Sequence, residues 1–220
     1  MFGREKEWVG RMTGTRLMQT PAPDGVFLFT LYSSQPPKYA RGYDAVQASA
    51  KSPVAFVHTL NLDMGQAVCV GLPKSLWGGN PRYEAIVSSG ADSHVYVVDT
   101  SRGLVAVMSP DTLRVIQTTK LDFGLPSVGA QTVAAVSPDG RSLYVSTGRA
   151  ILALDAMTLV PQSKWNLPGP ASGLGVSSDG ARLYVAMPGQ VEALGATDGR
   201  RLWSMRVPGV DGIRSVSSAG

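Results

Sequence analysis

Cysteine and histidine are scarce in this sequence, with one Cys (Cys69) and two His (His58 and His94) in 220 residues. A single thiol excludes an intramolecular disulfide and any site built from several thiolates. Cys69 stands in the alternating run Ala67 to Val70, which predicts a packed core thiol. His58 and His94 fall in separate alternating segments, each without a second ligand at coordination spacing, so both are expected to be structural. Lys and Arg are scattered, no run of four occurs, and the net charge is only +4. That distribution lacks the clustered footprint of a nucleic-acid reader, and no nucleic-acid partner is expected.

Long apolar runs are also missing. No segment approaches the ~20 uninterrupted apolar residues that a helix needs to cross a bilayer. The first ten residues, MFGREKEWVG, are charged and have no apolar stretch behind them, so they do not read as an export signal. Taken as it stands, the chain is expected in the cytoplasm; residues missing ahead of Met1 would reverse that. Sustained helical periodicity is absent as well. What is abundant is turn chemistry: 25 Gly and 15 Pro, with 44% apolar residues. That combination fits a globular chain of many short strands and excludes a helical bundle or a disordered chain.

The strands repeat. SPDGRSLYVS at 137–146 matches SSDGARLYVA at 177–186, and ALDA at 153–156 matches ALGA at 193–196, all at one offset of 40 residues. Weaker copies begin at APDGVFLFTLY (22–32) and SSGADSHVYVVD (88–99). In the third copy, strands are expected over Thr132–Val136, Leu143–Thr147, Ala150–Leu154 and Val160–Asn166. Asp139-Gly140 supplies the positive φ of the first turn, and Asp155 to Thr158 forms the last. A module of about 40 residues with four short strands is the signature of a propeller blade. One such sheet cannot bury both faces alone. Stacking about an axis covers both, which explains apolar runs such as VYVV (95–98), and the shared offset favours this over a β-sandwich. The expected fold is therefore all-β: a β-propeller of about four four-stranded antiparallel blades, either a complete small ring or part of a larger one. Blades are expected near 12–73, 83–121, 131–168 and 171–208, after a tail over 1–11 and before a last strand and tail over 209–220.

The repeat resembles the YVTN-type propellers, whose blades carry S-P-D-G-x-x-L-Y-V and then an L-D-x-x-T turn. Here these are Ser137-Pro138-Asp139-Gly140 with Leu143-Tyr144-Val145, then Leu154-Asp155 and Thr158. The fourth copy departs by placing Gly195 where Asp155 sits. The WD-repeat signature is absent, and only Gly78-Gly79 offers the double glycine of kelch blades. Ala196 to Trp203 is similar to the A-x-x-G-x-x-L-W turn of quinoprotein-type blades; Trp165 and Trp203 are expected to pack between blades. The first copy resembles exported actinobacterial propeller proteins through Thr30-Leu31-Tyr32, Phe56-Val57-His58 and Cys69 to Pro73. That resemblance implies more blades and a place outside the membrane.

No nucleophile elbow, phosphate loop or zinc-protease motif is present. The Asp-Gly pairs are turn residues first, and neither cofactor nor metal is expected. The one irregular feature is the insertion Ser33 to Pro53, which is basic and aromatic. With the blade-joining segment Leu72 to Tyr83 it is expected to share one face of the propeller. Tyr39, Arg41, Tyr43, Trp77 and Arg82 are the candidate ligand-binding residues there, set beside Lys74. Aromatic surfaces next to cations suit an acidic peptide or protein, a glycan or a phosphorylated group. The function expected is a non-enzymatic binding scaffold. The alternative is a lactonase-like or quinoprotein-like enzyme with a small molecule at the central channel. An open propeller would in addition expose edges for self-association.

Overall fold

The structure is a computed structural model that describes residues 15–33, 55–90, 94–124 and 130–213. It is a β-propeller arc of four antiparallel sheets, each a simple meander of four strands. The first blade holds β1 (Thr15–Pro21), β2 (Phe27–Ser33), β3 (Ala55–Asn61) and β4 (Gln66–Gly71). The second holds β5 (Glu84–Ser88), β6 (Val95–Asp99), β7 (Leu104–Ser109) and β8 (Arg114–Lys120). The third holds β9 (Ala134–Val136), β10 (Ser142–Ser146), β11 (Ala150–Asp155) and β12 (Pro161–Asn166). The fourth holds β13 (Gly173–Val176), β14 (Arg182–Met187), β15 (Gln190–Gly195) and β16 (Arg201–Arg206).

The first strands line the axis, with β1 beside β5, β5 beside β9 and β9 beside β13. Burial follows from this. All five residues of β6 are buried, and they divide by parity, because side chains alternate across a strand. Val95 and Val97 meet Phe29, Leu31 and Val57 of the first blade. Tyr96 and Val98 meet Leu143, Val145 and Leu154 of the third. Between the third and fourth blades, Tyr144, Ile151 and Trp165 meet Leu183, Val185 and Met187. Each fully buried side chain of this size contributes roughly 1.5–3 kcal/mol, so the stacking of sheets is what stabilises the fold.

Two strands begin later than the sequence suggests. Thr132 is not yet in β9, because its N–H donates to the Arg82 carbonyl of the preceding blade at 2.9 Å. Val160 precedes β12, and its N–H donates to Thr158 Oγ1 at 3.4 Å. The outermost strands are more exposed than the central ones. In β12 the pattern is exposed apart from Ser163 and Trp165, which turn toward the fourth blade. In β16 every residue is exposed, with Trp203 at 40% and Met205 at 57%. Trp165 thus packs between blades as expected, while Trp203 lies beside Tyr184 on an exposed strand with no further blade stacked on it among the described residues.

Among the described residues, no core cluster joins the fourth blade to the first, and β13 and β1 lack the packing that joins the other inner strands. Gly212 and Ile213 run beside Gly173, where a side chain would collide with their backbone. The expected last strand continues from there into residues outside the description. Cys69 is half-buried, not a core thiol, because its face of β4 points away from the second blade while Val70 points toward it. Burial pushes the thiol up.

Candidate functional site

Connections in a meander alternate between the two ends of each sheet. The turns after β2, β6, β10 and β14 therefore share one end with the blade-joining segments, as expected for the candidate face. Leu72 N–H donates to the Ala55 carbonyl at 3.0 Å, so the joining segment starts beside the first residue of β3. Tyr39, Arg41 and Tyr43 lie outside the described residues. Trp77 and Arg82 stand on the joining segment, which is folded by two short 3-10 turns, Lys74–Leu76 and Pro81–Tyr83.

Each turn has a local cause. Leu76 and Trp77 donate backbone N–H groups back to Pro73 and Lys74. Asn80 Oδ1 caps the second turn by accepting Arg82 N–H at 3.0 Å, the usual role of Asn ahead of a turn. Trp77 is anchored rather than free. Its indole N–H donates to the Leu72 carbonyl at 2.8 Å, and its ring packs on the first core cluster. Lys74 Nζ lies 5.9 Å from that ring. The Arg82 and Lys74 side chains are exposed.

The sequence reading missed Arg102, in the β6–β7 turn. Its guanidinium donates to the Ser75 carbonyl at 3.0 Å and pairs with Asp99 at 3.6 Å, tying the joining segment to the second blade. Arg102 and Lys120 also line a shallow groove of about 430 Å³ that runs over Gly103 and Leu121 to Gly124. Lys74, Arg82, Arg102 and Lys120 thus place four cations at the joining end of the second blade, with Lys74 beside Trp77 and with Asp122 beside Arg102 and Lys120 in the groove. Nothing in the local sequence marks Arg102 as part of this face, since the contact that ties it to the joining segment comes from Ser75, more than twenty positions away.

Below this surface lies a carboxylate pair that the sequence also did not reveal. Glu84 opens β5 and is paired directly with Asp99, the last residue of β6. Both are buried. One oxygen of each, Glu84 Oε2 and Asp99 Oδ2, accepts no hydrogen bond. Gly79 closes over them: a Cβ there would collide with Glu84 Oε1 and lie 2.8 Å from Asp99 Oδ2. Burial, and then the charge of Asp99, push Glu84 up to about 7, with Arg102 acting against them. His58 and His94 lie edge-on to Tyr32 and Tyr96, at 6.2 and 6.4 Å between ring centres. Among the described residues no three His, Cys, Asp or Glu side chains gather as metal ligands, and no helix is long and apolar enough to cross a membrane.

No protein-family model matches the sequence, and no curated protein matches it. The fold has many solved relatives, and those that follow are each 16% identical to this chain. Hydrazine synthase from Kuenenia stuttgartiensis superposes with a TM-score of 0.63 at 16% identity, over 94% of this chain and 53% of that one. The WD40 repeats of RRP9 give 0.52 at 16% identity, over 64% of this chain and 44% of that one. The dihydro-heme d1 dehydrogenase NirN, in complex with DHE, gives 0.53 at 16% identity, over 86% and 37%. The chain therefore spans about half, or less, of these proteins. They are β-propellers, and so is this chain; its fold class is common to WD40 repeat proteins and enzymes alike.

Proposed function

We propose that the protein is a non-enzymatic binding scaffold that receives an acidic segment of a partner protein on the face carrying Lys74, Arg82, Arg102 and Lys120. The supporting observation is that these four cations share the joining end of the second blade, Arg102 and Lys120 on one groove beside Asp122, with the Glu84–Asp99 pair held beneath the surface under Gly79. An extended acidic peptide laid across the groove would meet exposed ammonium and guanidinium groups and the indole edge. Such a rim contributes mostly to encounter rate and selectivity, so binding should weaken steeply with salt. Trp77 stabilises the linker itself, so its substitution does not isolate binding.

The test is charge reversal at the exposed positions. Lys74→Glu with Arg82→Glu should leave the melting temperature within a few degrees and reduce binding of a poly-glutamate probe by at least tenfold at low salt. Undiminished binding in the double variant would reject the surface. The enzyme alternative has one feature to stand on, the Glu84–Asp99 pair, because a raised carboxylate beside a second one is a common acid-base arrangement. Gly79 covers that pair, which places it under the binding surface and out of reach of a substrate.

A further inference from the structure

The opposite end of the molecule carries a groove that the binding surface above does not use. It lies between the third and fourth blades, has a volume of about 370 Å³, and is framed by the two Asp-Gly turns at 139–140 and 179–180. Pro138 of one turn lies 3.8 Å from where a Cβ on Gly180 of the other would stand. Trp165, Tyr144 and Ala153 contribute the apolar part of the wall. Gln162, Ser163, Ser178 and Thr197 contribute polar groups. Their side chains, and the Trp165 indole N–H, have no hydrogen-bond partner within the described residues.

Trp165 is held firmly. Its ring lies against Gly199 so closely that any side chain there would collide with it. The ring stands 5.9 Å from Tyr144, and Tyr144 Oη donates to the Ala196 carbonyl across the blade boundary at 3.0 Å. The wall is therefore preorganised by the packing of two sheets.

The chemistry of the lining selects among ligands. Asp139 and Asp179 stand at the mouth, and the serine hydroxyls of their own turns hold both below the usual carboxylate range, so both are charged. An anion is repelled. For a cation, each Oδ1 already accepts a serine hydroxyl and a backbone N–H, and Asp139 Oδ2 faces Arg141 at 3.9 Å, which leaves Asp179 Oδ2 as the one oxygen it could take. An apolar ligand would strip water from unpaired amide and hydroxyl groups. The mixture of ring surface with neutral amide and hydroxyl groups matches a neutral ring with C–H groups on its face and hydroxyls round its edge.

We propose that the groove between the third and fourth blades binds a neutral pyranose unit of a glycan, with the sugar's C–H groups against Ala153 and the part of Trp165 that Gly199 and Tyr144 leave open, and its hydroxyls on Gln162, Ser163 and Thr197. The volume fits a small ligand. The corresponding position between the first and second blades, lined by Asp24, Ser88 to Gly90, Pro110 and Asp111, holds only about 70 Å³. There Phe27 stands in the place of Ser142 and fills the space. The two boundaries thus differ in the space they leave.

The test uses the whole chain and a panel of neutral methyl hexopyranosides and their disaccharides, with spermidine as a cationic control. Ligand-observed saturation-transfer NMR and tryptophan fluorescence provide the readouts. At least one neutral sugar should bind, and spermidine should not compete with it. Gln162→Ala and Thr197→Ala are exposed substitutions that leave the fold intact; each should weaken the sugar by about fivefold, the loss of one hydrogen bond. Lys74→Glu with Arg82→Glu should leave sugar binding unchanged, which separates this site from the acidic-peptide surface. No saturation transfer from any sugar, displacement by spermidine, or full affinity in both rim variants would each overturn the proposal.

Discussion

Glu84 is the residue whose environment departs furthest from that of a solvated side chain. A carboxyl whose folded value is about 7, against an ordinary 4.5, resists ionisation in the fold. Below the ordinary value it is neutral in both states and costs nothing. As pH rises from about 4.5 to about 7 the unfolded chain ionises while the fold keeps its proton, so stability falls; above that the loss is constant. The size of that fall is on the order of 2–3 kcal/mol. Urea unfolding at pH 5 and pH 8 should show it in the wild type, and Glu84→Gln should remove most of the difference. Equal pH dependence in the variant would assign the effect to another group. Gly199 makes a second prediction at this scale. Its φ of +67° and the Trp165 ring against it leave no room for a Cβ. Gly199→Ala should lower stability by roughly 1–3 kcal/mol, read as a drop in the denaturation midpoint, and quench or shift Trp165 emission.

At the scale of elements, the hairpins between the outer strands show how a repeat tolerates change. In the third blade Asp155 Oδ1 accepts the Thr158 N–H at 2.7 Å and the Thr158 hydroxyl at 2.8 Å. This fixes the turn and lets Leu159 take a φ of +59° while buried between the second and third blades. The fourth blade has Gly195 and Asp198 instead. Asp198 Oδ1 occupies the space a Cβ on Gly195 would need and accepts the Arg200 N–H at 3.0 Å. The carboxylate has moved within the hairpin, and Gly199 takes the left-handed position that Leu159 takes in the third blade. Asp155→Ala should therefore cost about 1–2 kcal/mol in chemical denaturation. Asp198→Ala should cost less, because a glycine already supplies the turn's backbone conformation.

At the scale of the whole molecule, the fourth blade presents to solvent the face that the third blade buries. Tyr184 and Trp203 stand forty positions after Tyr144 and Ser163, and Met205 forty after Trp165. An apolar sheet face without a covering blade promotes association. The purified chain should show an apparent mass that rises with concentration in light scattering. Trp203→Glu with Met205→Glu should lower it without altering the circular dichroism of the sheets. A concentration-independent monomer in the wild type would contradict this.

The local chemistry of the chain determined more of this protein than a low-identity comparison can. The offset of 40 residues, the Asp-Gly turns and the short apolar runs specify four sheets of four strands, because alternation, turn geometry and β-propensity act over a few residues. Both faces of β6 read as buried for the same reason. The segment with Trp77 and Arg82 was likewise legible as the connection that joins the first two copies. Only the tertiary structure decided which side chains meet. Glu84 and Asp99, Arg102 and Ser75, and Trp165 and Gly199 are each brought together by strand register or by the stacking of one sheet on the next. Sheet stacking is driven by area and carries no marker in the sequence at the individual positions. For that reason the anchoring of Trp77, the buried carboxylates and the groove between the third and fourth blades appear only when the blades are assembled.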